Sequence, residues 1–342
     1  MRFFRRNPIT KPETTPKPPE APAGVTRILL ISNCQVQPLK HGLANVCERV
    51  QIDAVPIHLI PPDERPANFS KYIQNKNNYD LVLSIFLSED FGELSTDRIH
   101  KTFAPIPVLT IANLYFDGTL PDICYIGGLN ARTPGPIGDY HSRIALLGYL
   151  MNLPVATTVN LYCDAVYQQL GYYDAFRRSL DEMARRDEGT DIPLGNLLEE
   201  KVREGNCFLS QNHPTSLLLT AYINRIGEHL AKNGYVTSSG LRLSQEDFIN
   251  FLAQSVIFPV YPEIAARHGL PYQTSYVFRT ATAGDEPSRP ISLSDFVTAE
   301  YAAFHDADQK VLAAFWPGSE LMDKYGRDAT FKTLVANLAH SA

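Results

Sequence analysis

Two short segments of this chain carry side chains suited to nucleophilic and acid–base chemistry. Cys34 stands in the segment SNCQVQPL, and His213 stands in the segment NHPTSLLL. A thiolate is an effective nucleophile near neutral pH once a neighbouring imidazole or a helix N-terminus lowers its pKa. A neutral imidazole can accept a proton as a general base. If folding brings the two segments together, the pair is suited to acyl transfer.

The predicted position of Cys34 is the carboxyl end of a buried strand. The run 27–32 is short, apolar and rich in branched residues, which is typical of such a strand. In open α/β sheets ligands bind at this edge, where free backbone N–H groups can stabilise an oxyanion. We therefore interpret Cys34 as a nucleophile in preference to an inert, buried cysteine. Supporting or oxyanion candidates are Asn33, Gln35 and Asn113.

His213 directly precedes a predicted helix at 214–233, which has Pro214 in its first turn and Gly234 just past its end. The positive field of a helix N-terminus favours the neutral imidazole. Two interpretations remain open at this stage. Either His213 is the catalytic base, or Asn212 or His213 only caps the helix.

A third catalytic member is left open between three residues. His141, in the segment GDYHS, lies at a predicted loop-to-helix boundary, and Asp139 and Asp122 precede it. His141 suits a structural role and a substrate-orienting role equally well. The other histidines, including His58, are interpreted as solvated or packing residues.

The order of predicted elements indicates the fold. Further strands are predicted at 52–60, 79–87 and 107–113, with a helix at 38–50. Strands that alternate with helices favour a small parallel sheet of the doubly wound kind, and Pro56 places the second strand at an edge. Later helices are predicted at 160–186, 194–204, 214–233, 245–257, 262–268, 294–305 and 326–339.

The predicted class is therefore α/β and mainly helical. The sequence predicts three parts: a disordered Pro-rich tail at 1–24, a small parallel-sheet α/β subdomain at 25–125, and a loop-rich and helical part at 126–342. The subdomain carries the Cys34 strand end, and the helical part carries His213. These two parts are expected to form a cradle.

The segment 114–139 has several glycines and prolines and reads as a long loop, and a loop of this length inside a compact chain is usually functional. It matches neither a Walker loop nor a GxGxxG fingerprint. Gly127 and Gly128 permit sharp turns, and Arg132 and Arg143 are placed to meet an anionic ligand. We interpret these four residues as cofactor-binding candidates.

Composition excludes several classes of protein. The 342 residues carry a net charge of −6, whereas nucleic-acid-binding proteins are usually basic. No apolar run approaches the ~20 residues that a membrane span needs. The five cysteines and nine histidines show no disulfide framework and no zinc-ligand spacing. We expect a cytoplasmic protein without a metal. The basic first residues, MRFFRR, leave open an alternative interpretation, peripheral attachment to the inner face of the membrane.

Four segments resemble one known family. SNCQVQPL, NLYFDGTLPDICYIGG, GDYHS and NHPTSLLL are similar to the WcbI family of polysaccharide-biosynthesis enzymes, and the likeness covers most of residues 27–270. Ser32 stands where the family more often has glycine. The resemblance implies a helical cradle with a deep coenzyme A pocket. It also implies acetyl transfer from acetyl-CoA to a sugar hydroxyl of a capsular or surface polysaccharide, with an assembly partner enzyme as a further expectation.

Alternatives remain beside that resemblance. A nucleophile after the first strand and a His-Pro before a late helix also occur in SGNH hydrolases, but Ser210 stands where their aspartate would be. An SGNH-like esterase or thioesterase and a noncatalytic CoA- or nucleotide-binding module are therefore kept. Covalent transfer through Cys34 and direct transfer with His213 as sole base are equally compatible with the sequence.

Overall fold

The computed structural model describes residues 24–61, 63–128, 131–272, 274–280, 288–314 and 316–339. Of the predicted tail at 1–24, all but Gly24 lies outside these residues. The division of the rest at residue 125 stays a prediction.

The first apolar run of the chain forms an inner strand of a four-stranded parallel sheet. Strand β1 (Thr26–Ser32) lies between β2 (Val50–Pro56) and β3 (Leu81–Ile85), and β4 (Val108–Ile111) pairs with β3. All residues of β3 and β4 are buried, as the continuous apolar runs of parallel sheets require. The predicted small parallel sheet is confirmed.

The strand order β2-β1-β3-β4 contains one reversal. The chain leaves β1 toward β2 on one side and then crosses back to β3 on the other side. At such a reversal the carboxyl ends of the two inner strands leave a crevice in which ligands bind. Cys34 follows the end of β1 by two residues, so it lies at this crevice.

The second strand is shorter than predicted but lies where Pro56 indicated. It ends at Pro56, and Ile57–Leu59 forms a 3-10 turn in place of further strand. β2 is an edge strand, so the missing N–H of its proline interrupts no ladder.

Helices make up most of the remaining described chain, which confirms the α/β, mainly helical class. In chain order the α-helices are α1 (Val36–Val46), α2 (Arg65–Gln74), α3 (Thr96–Phe103), α4 (Arg143–Leu150), α5 (Val155–Val159), α6 (Asp164–Gln169), α7 (Tyr172–Asp187), α8 (Leu197–Glu204), α9 (Ser216–Lys232), α10 (Pro262–Arg267), α11 (Leu293–Asp306), α12 (Gln309–Ala314), α13 (Gly318–Leu321) and α14 (Ala329–Ala339). Further short turns are Lys76–Asn78, Glu89–Leu94, Phe251–Gln254 and Met322–Gly326.

Short antiparallel pairs connect distant parts of the chain. They are Cys47–Glu48 with Thr237–Ser238, Ile123–Cys124 with His141–Ser142, Gly127–Gly128 with Ala131–Arg132, β5 (Phe208–Ser210) with β6 (His213–Pro214), and Val277–Arg279 with Pro290–Ser292.

Several helix boundaries differ from the sequence-based prediction, among them the starts of α8 and α14, each three residues later than predicted. The helix predicted at 38–50 is α1, which starts at Val36 and ends at Val46. The helix predicted at 160–186 is interrupted, because Gly171 adopts a φ of 68° between α6 and α7, a conformation that suits glycine. The helix predicted from Pro214 begins only at Ser216.

The helix predicted at 245–257 is wrong. The Ser244 hydroxyl does donate to Asp247 at 2.7 Å, which is the expected capping pair. Asn250 then accepts from the backbone N–H of Leu252 at 3.0 Å, and only a 3-10 turn forms at Phe251–Gln254. A polar side chain that bonds to the nearby backbone competes with a continuous helix, which the capping pattern alone could not reveal.

The carboxyl end of β4 is fastened to the helical part. Asp191 accepts from the backbone N–H and the hydroxyl of Thr110 at 2.8 and 2.7 Å. The hydroxyl of Tyr222 on α9 accepts from the N–H of Ala112 at 2.6 Å and donates to the carbonyl of Ile192 at 2.6 Å. These bonds fix the strand end that leads directly into Asn113.

Candidate functional site

The two segments singled out in the sequence meet at the carboxyl edge of the sheet. Cys34 Sγ lies 3.9 Å from Asn33 Oδ1 and 3.9 Å from both the main-chain oxygen and Nδ2 of Asn212. Asn212 lies in the turn between β5 and β6, directly before His213. The backbone N–H groups of Cys34 and Gln35 also bond to the sulfur. In the described part of the chain, His213 is not among the hydrogen-bond partners of Cys34.

Gln35 fastens three segments of the site together. Its Nε2 donates to the carbonyl oxygens of Leu114 and Asn212 at 2.7 and 3.1 Å, and its Oε1 accepts from the N–H of Leu114 at 3.3 Å. Its backbone N–H donates to Asn33 Oδ1 at 3.0 Å. Because the side chain has no exposed surface and is already bonded, Gln35 holds the site and has little left to offer an oxyanion.

Asn33 and Asn113 form the second amide pair of the site. Asn33 Nδ2 donates to Asn113 Oδ1 at 2.9 Å, and both residues are half-buried. This bond occupies the oxygen of Asn113 and leaves its NH2 group without an acceptor in the described chain. Asn113 is therefore the better placed of the sequence-predicted oxyanion donors.

His213 is half-buried and lies in β6, not in the first turn of a helix. Burial, with a smaller contribution from the nearby His58, lowers the pKa of His213 from 6.5 to about 4. The imidazole is thus neutral, as expected from the sequence, but burial is the main cause in place of the helix field. Its Nδ1 is buried without a hydrogen-bond partner among the described residues.

His58 is a site residue that sequence reasoning missed. Parallel pairing matches Ser32 with Pro56, so Cys34 and His58 each lie two residues beyond the paired ends of neighbouring strands. His58 is exposed, and it lies near enough to His213 to lower the pKa of that imidazole. The available signal was its position after a predicted strand, the same signal that singled out Cys34.

The structure places His141 in the protein interior. Its Nδ1 lies 2.7 Å from Glu300 Oε2 and its Nε2 lies 2.8 Å from the carbonyl oxygen of Thr133. His141 and Glu300 have no exposed surface. Both nitrogens of His141 are occupied, so it fastens the loop before α4 to α11 and has no surface for substrate.

The acidic candidates for a third catalytic member make no hydrogen bond to His213 among the described residues. Asp122 is buried and accepts from the N–H of Ile144 at 3.0 Å and from the hydroxyls of Tyr172 and Tyr261 at 2.7 and 2.6 Å. Asp139 is exposed. Ser210, at the position of the SGNH aspartate, donates to Asn212 Oδ1 at 3.3 Å. In the described chain no carboxylate orients His213.

A row of aromatic rings joins the thiol site to one of the predicted arginines. The ring of Tyr140 lies 5.9 Å from His213 and 5.2 Å from Tyr125. The guanidinium of Arg132 lies 4.1 Å above Tyr125 and donates to the carbonyl oxygen of Gly127 at 3.4 Å. Arg132 and His213 therefore lie at the two ends of the row formed by Tyr125 and Tyr140, which we call the aromatic wall.

The remaining cofactor-binding candidates have different surroundings. Gly127 has a φ of 86°, and a Cβ there would lie 2.2 Å from the carbonyl oxygen of Ala131. Position 127 of this short antiparallel pair therefore requires glycine. Residues 129–130 of that loop lie outside the described residues. Arg143 lies 3.7 Å from Glu320 and 5.6 Å from the Trp316 ring, so its charge is already matched by a carboxylate.

Two further features concern metals and membranes. Within the described ranges, no group of three or more His, Cys, Asp or Glu side chains could hold a metal ion. None of the helices in the same part of the chain has the length and apolar character needed to cross a bilayer.

Comparison with known proteins gives two matches. A family model described as "Polysaccharide biosynthesis enzyme WcbI" matches residues 27–234. Among solved structures, the chain is similar to WcbI, described as a novel polysaccharide biosynthesis enzyme in a native form without a disulfide bond between CoA and one of its cysteines. That match has a TM-score of 0.64 at 14% identity and covers 92% of this chain and 99% of that chain, so it concerns the fold. No curated protein matches the chain.

Proposed function

The chain belongs to the WcbI family of polysaccharide biosynthesis enzymes, and from this premise we propose that it transfers an acetyl group from acetyl-CoA to a sugar hydroxyl of a glycan precursor. The observation that carries the proposal is the meeting of Cys34 with the Asn212–His213 turn at the switch point of the sheet. A thiol, a neutral imidazole and oriented amides at one crevice suit thioester chemistry. The solved WcbI structure is described with CoA and a cysteine, which supports CoA as the ligand beside Cys34.

In the proposed reaction His213 Nε2 takes the proton of the acceptor hydroxyl as its oxygen attacks the thioester carbonyl carbon. The carbon–sulfur bond then breaks, the acetyl group stays on the sugar oxygen, and the CoA sulfur leaves with the proton that His213 carried. His213 suits this role because its pKa of about 4 keeps it neutral and no carboxylate of the described chain pairs with it. Without a carboxylate partner it is a weak base, so positioning must supply much of the rate.

We propose direct transfer in preference to an acetyl-cysteine intermediate. Burial raises the pKa of the Cys34 thiol to about 11. At pH 7 only about one such thiol in 10⁴ is ionised. Two oxygen acceptors beside the sulfur, on Asn33 and Asn212, favour the protonated S–H, and the backbone N–H groups of Cys34 and Gln35 offset the effect of burial only in part. In this proposal Cys34 contacts the thioester, while His213 acts on the acceptor.

Two other groups complete the proposed site. The NH2 group of Asn113, oriented by Asn33, would donate to the carbonyl oxygen as it becomes an oxyanion. Loss of one such donor typically costs ~10²–10³ in rate. Arg132, stacked on Tyr125, is the proposed contact for the CoA phosphates, whereas Arg143 is paired with Glu320 and is left out.

The test is to incubate the purified protein with acetyl-CoA and a panel of capsular and surface sugars, and to follow release of the CoA thiol. We expect release that depends on an acceptor and disappears in His213→Ala. Equal release without any acceptor would identify a thioesterase. No release, with CoA binding unchanged in Cys34→Ser and His213→Ala, would identify a noncatalytic binding module.

Intact-mass analysis after incubation with acetyl-CoA alone tests the route. We expect no adduct on the wild type. An adduct of roughly 42 Da, one acetyl group, on wild type and not on Cys34→Ala would overturn direct transfer in favour of the covalent route.

A further inference from the structure

The side-chain amide of Asn212 is held in one orientation by two hydroxyl groups. Tyr140 donates to its Oδ1 at 2.6 Å, and Ser210 donates to the same oxygen at 3.3 Å. Burial raises the pKa of Tyr140 well above its usual value, so the phenol keeps its proton and remains a donor. With the oxygen turned to these hydroxyls, the NH2 group is turned to Cys34 Sγ, 3.9 Å away.

The surroundings of the sulfur make this NH2 group distinctive. The hydrogen-bond partners of Cys34 in the described chain include two oxygen acceptors, Asn33 Oδ1 and the main-chain carbonyl of Asn212. The donors to the sulfur in the described chain are the backbone N–H groups of Cys34 and Gln35 and the NH2 group of Asn212, which is the one side chain among them. The amide of Gln35, the next polar group along the chain, is fully engaged with Leu114 and Asn212.

We propose that Asn212 is a catalytic donor whose NH2 group stabilises negative charge that develops beside Cys34, and that Tyr140 is its positioning residue. In direct acetyl transfer that charge forms first on the carbonyl oxygen and then on the departing CoA sulfur. A donor fixed in place before the reaction stabilises such charge without having to reorient. The part of the inference that concerns turnover rests on the proposed function, whereas the effect on the Cys34 sulfur does not.

Tyr140 is itself firmly placed, which is what a positioning residue requires. Its ring packs against Tyr125 and His213, with centroids 5.2 and 5.9 Å away. The next residue, His141, is fixed by Glu300 at 2.7 Å. The Tyr140 hydroxyl therefore cannot follow the amide if the amide rotates, and it selects the orientation in which oxygen faces away from the sulfur.

The experiment measures the rate at which iodoacetamide alkylates Cys34 as a function of pH, with peptide mass mapping to separate it from the other four cysteines. It needs neither CoA nor an acceptor. A donor to a thiolate lowers the thiol pKa, so Asn212→Ala should reduce the alkylation rate at fixed pH about 10-fold and shift the dependence of that rate on pH about one pH unit upward. Asn212→Asp, which places a carboxylate beside the sulfur, should reduce it further.

Tyr140→Phe and Tyr115→Phe form a matched pair of variants. The Tyr115 hydroxyl donates to Gln211, the residue before Asn212, at 3.0 Å. Both substitutions remove one hydroxyl group that bonds to the turn at Gln211 and Asn212. Only Tyr140→Phe removes a hydrogen bond to the Asn212 side-chain amide. We expect Tyr140→Phe to slow alkylation several-fold and Tyr115→Phe to leave the wild-type profile, with unfolding midpoints recorded for both.

Two results would overturn the assignment. One is a folded Asn212→Ala or Asn212→Asp protein whose alkylation profile matches the wild type. The other is an equal effect of Tyr115→Phe and Tyr140→Phe, which would indicate general loosening of the turn at Gln211 and Asn212. Failure of the proposed function is a different outcome: the alkylation profile would shift as expected while the wild type transfers no acetyl group.

Discussion

Two histidines of this chain suit acid–base chemistry by sequence, and the structure gives them opposite surroundings. His141 has no exposed surface, lies 2.7 Å from Glu300, and its pKa is raised by that carboxylate in spite of burial. His213 is half-buried, has no carboxylate partner in the described chain, and burial lowers its pKa to about 4. Burial thus acts on both rings, and the partner decides which protonation state results.

This difference assigns a structural role to His141 and leaves His213 as the candidate for acid–base chemistry. The two ring nitrogens of His141 lie against Glu300 Oε2 and the Thr133 carbonyl oxygen, so one hydrogen stands on Nε2 and a second is shared between Nδ1 and the Glu300 carboxyl group. Burial also raises the pKa of Glu300, so the pair retains its shared proton and holds two segments together. The His213 ring makes no hydrogen bond in the described chain, so no acceptor competes when it takes up a proton and releases it again.

Removal of His213 should have the largest effect on activity. We expect His213→Ala to lower acetyl-CoA turnover about 10³-fold, in the range typical of a lost general base. The free energy of unfolding should change little, because no hydrogen bond to Nδ1 is lost. Turnover at saturating acceptor and denaturant unfolding of the same sample give both quantities. A loss below ten-fold would place the base elsewhere, and His58 would be the next residue to replace.

Removal of His141 should lower the free energy of unfolding and leave turnover nearly unchanged. His141→Ala leaves Glu300 buried without its partner, and breaking such a pair costs about 3 kcal/mol of unfolding free energy. Turnover per folded molecule should stay close to wild type. Denaturant unfolding of His141→Ala, Glu300→Ala and the double variant measures the coupling. Additive losses in the double variant would show that the pair does not act as a unit.

The two histidines should also impose opposite pH dependences on stability. The folded pKa of His213, about 4, lies below its unfolded value of 6.5, so the unfolded state binds more protons between these values. Stability from His213 is therefore complete above pH 6.5 and is lost as the pH falls toward 4, by ~1–3 kcal/mol. For His141 the folded pKa is raised, so its contribution is complete below pH 6.5 and declines as the pH rises through the folded value.

Unfolding free energies measured from pH 4 to 9 for wild type, His213→Gln and His141→Gln test this contrast. Differences from wild type remove the background from carboxylates common to all three proteins. If His213→Gln shows the wild-type slope between pH 4 and 6.5, the imidazole is not desolvated in the folded protein.

The fold was largely predictable because its signals are local. The apolar runs that became β1 and β3 are continuous and end at polar residues, and Pro56 placed β2 at an edge. The failures came where a local bond competes with a periodic pattern, as Asn250 does in the segment 245–257. A left-handed Gly171 divided a helix whose apolar spacing runs on without a break.

The site was predictable in part. Cys34 and His213 were named from strand-end and motif positions, but the contact between them runs through Asn212, which the sequence offered only as a helix cap. The role of Gln35 as a clamp depends on Leu114, far along the chain. Glu300 follows His141 at a separation that no local pattern spans. Partners of this kind arise from tertiary packing, so single-sequence reasoning cannot assign them.

Replacement of the sulfur should have the smallest effect, and it shows on which atom His213 acts. In direct transfer Cys34 only contacts the thioester, so Cys34→Ser should retain turnover within about ten-fold of wild type, with the hydroxyl still bonded to Asn33 and Asn212. If His213 instead deprotonated Cys34, the serine variant would lose activity nearly as fully as His213→Ala, because an alkoxide is far harder to form than a thiolate. Cys163→Ser, at the half-buried Cys163 before α6, is the control for loss of a thiol elsewhere. A Cys34→Ser loss equal to that of His213→Ala would assign both residues to one covalent step, and His213 would then serve the sulfur before it serves the sugar.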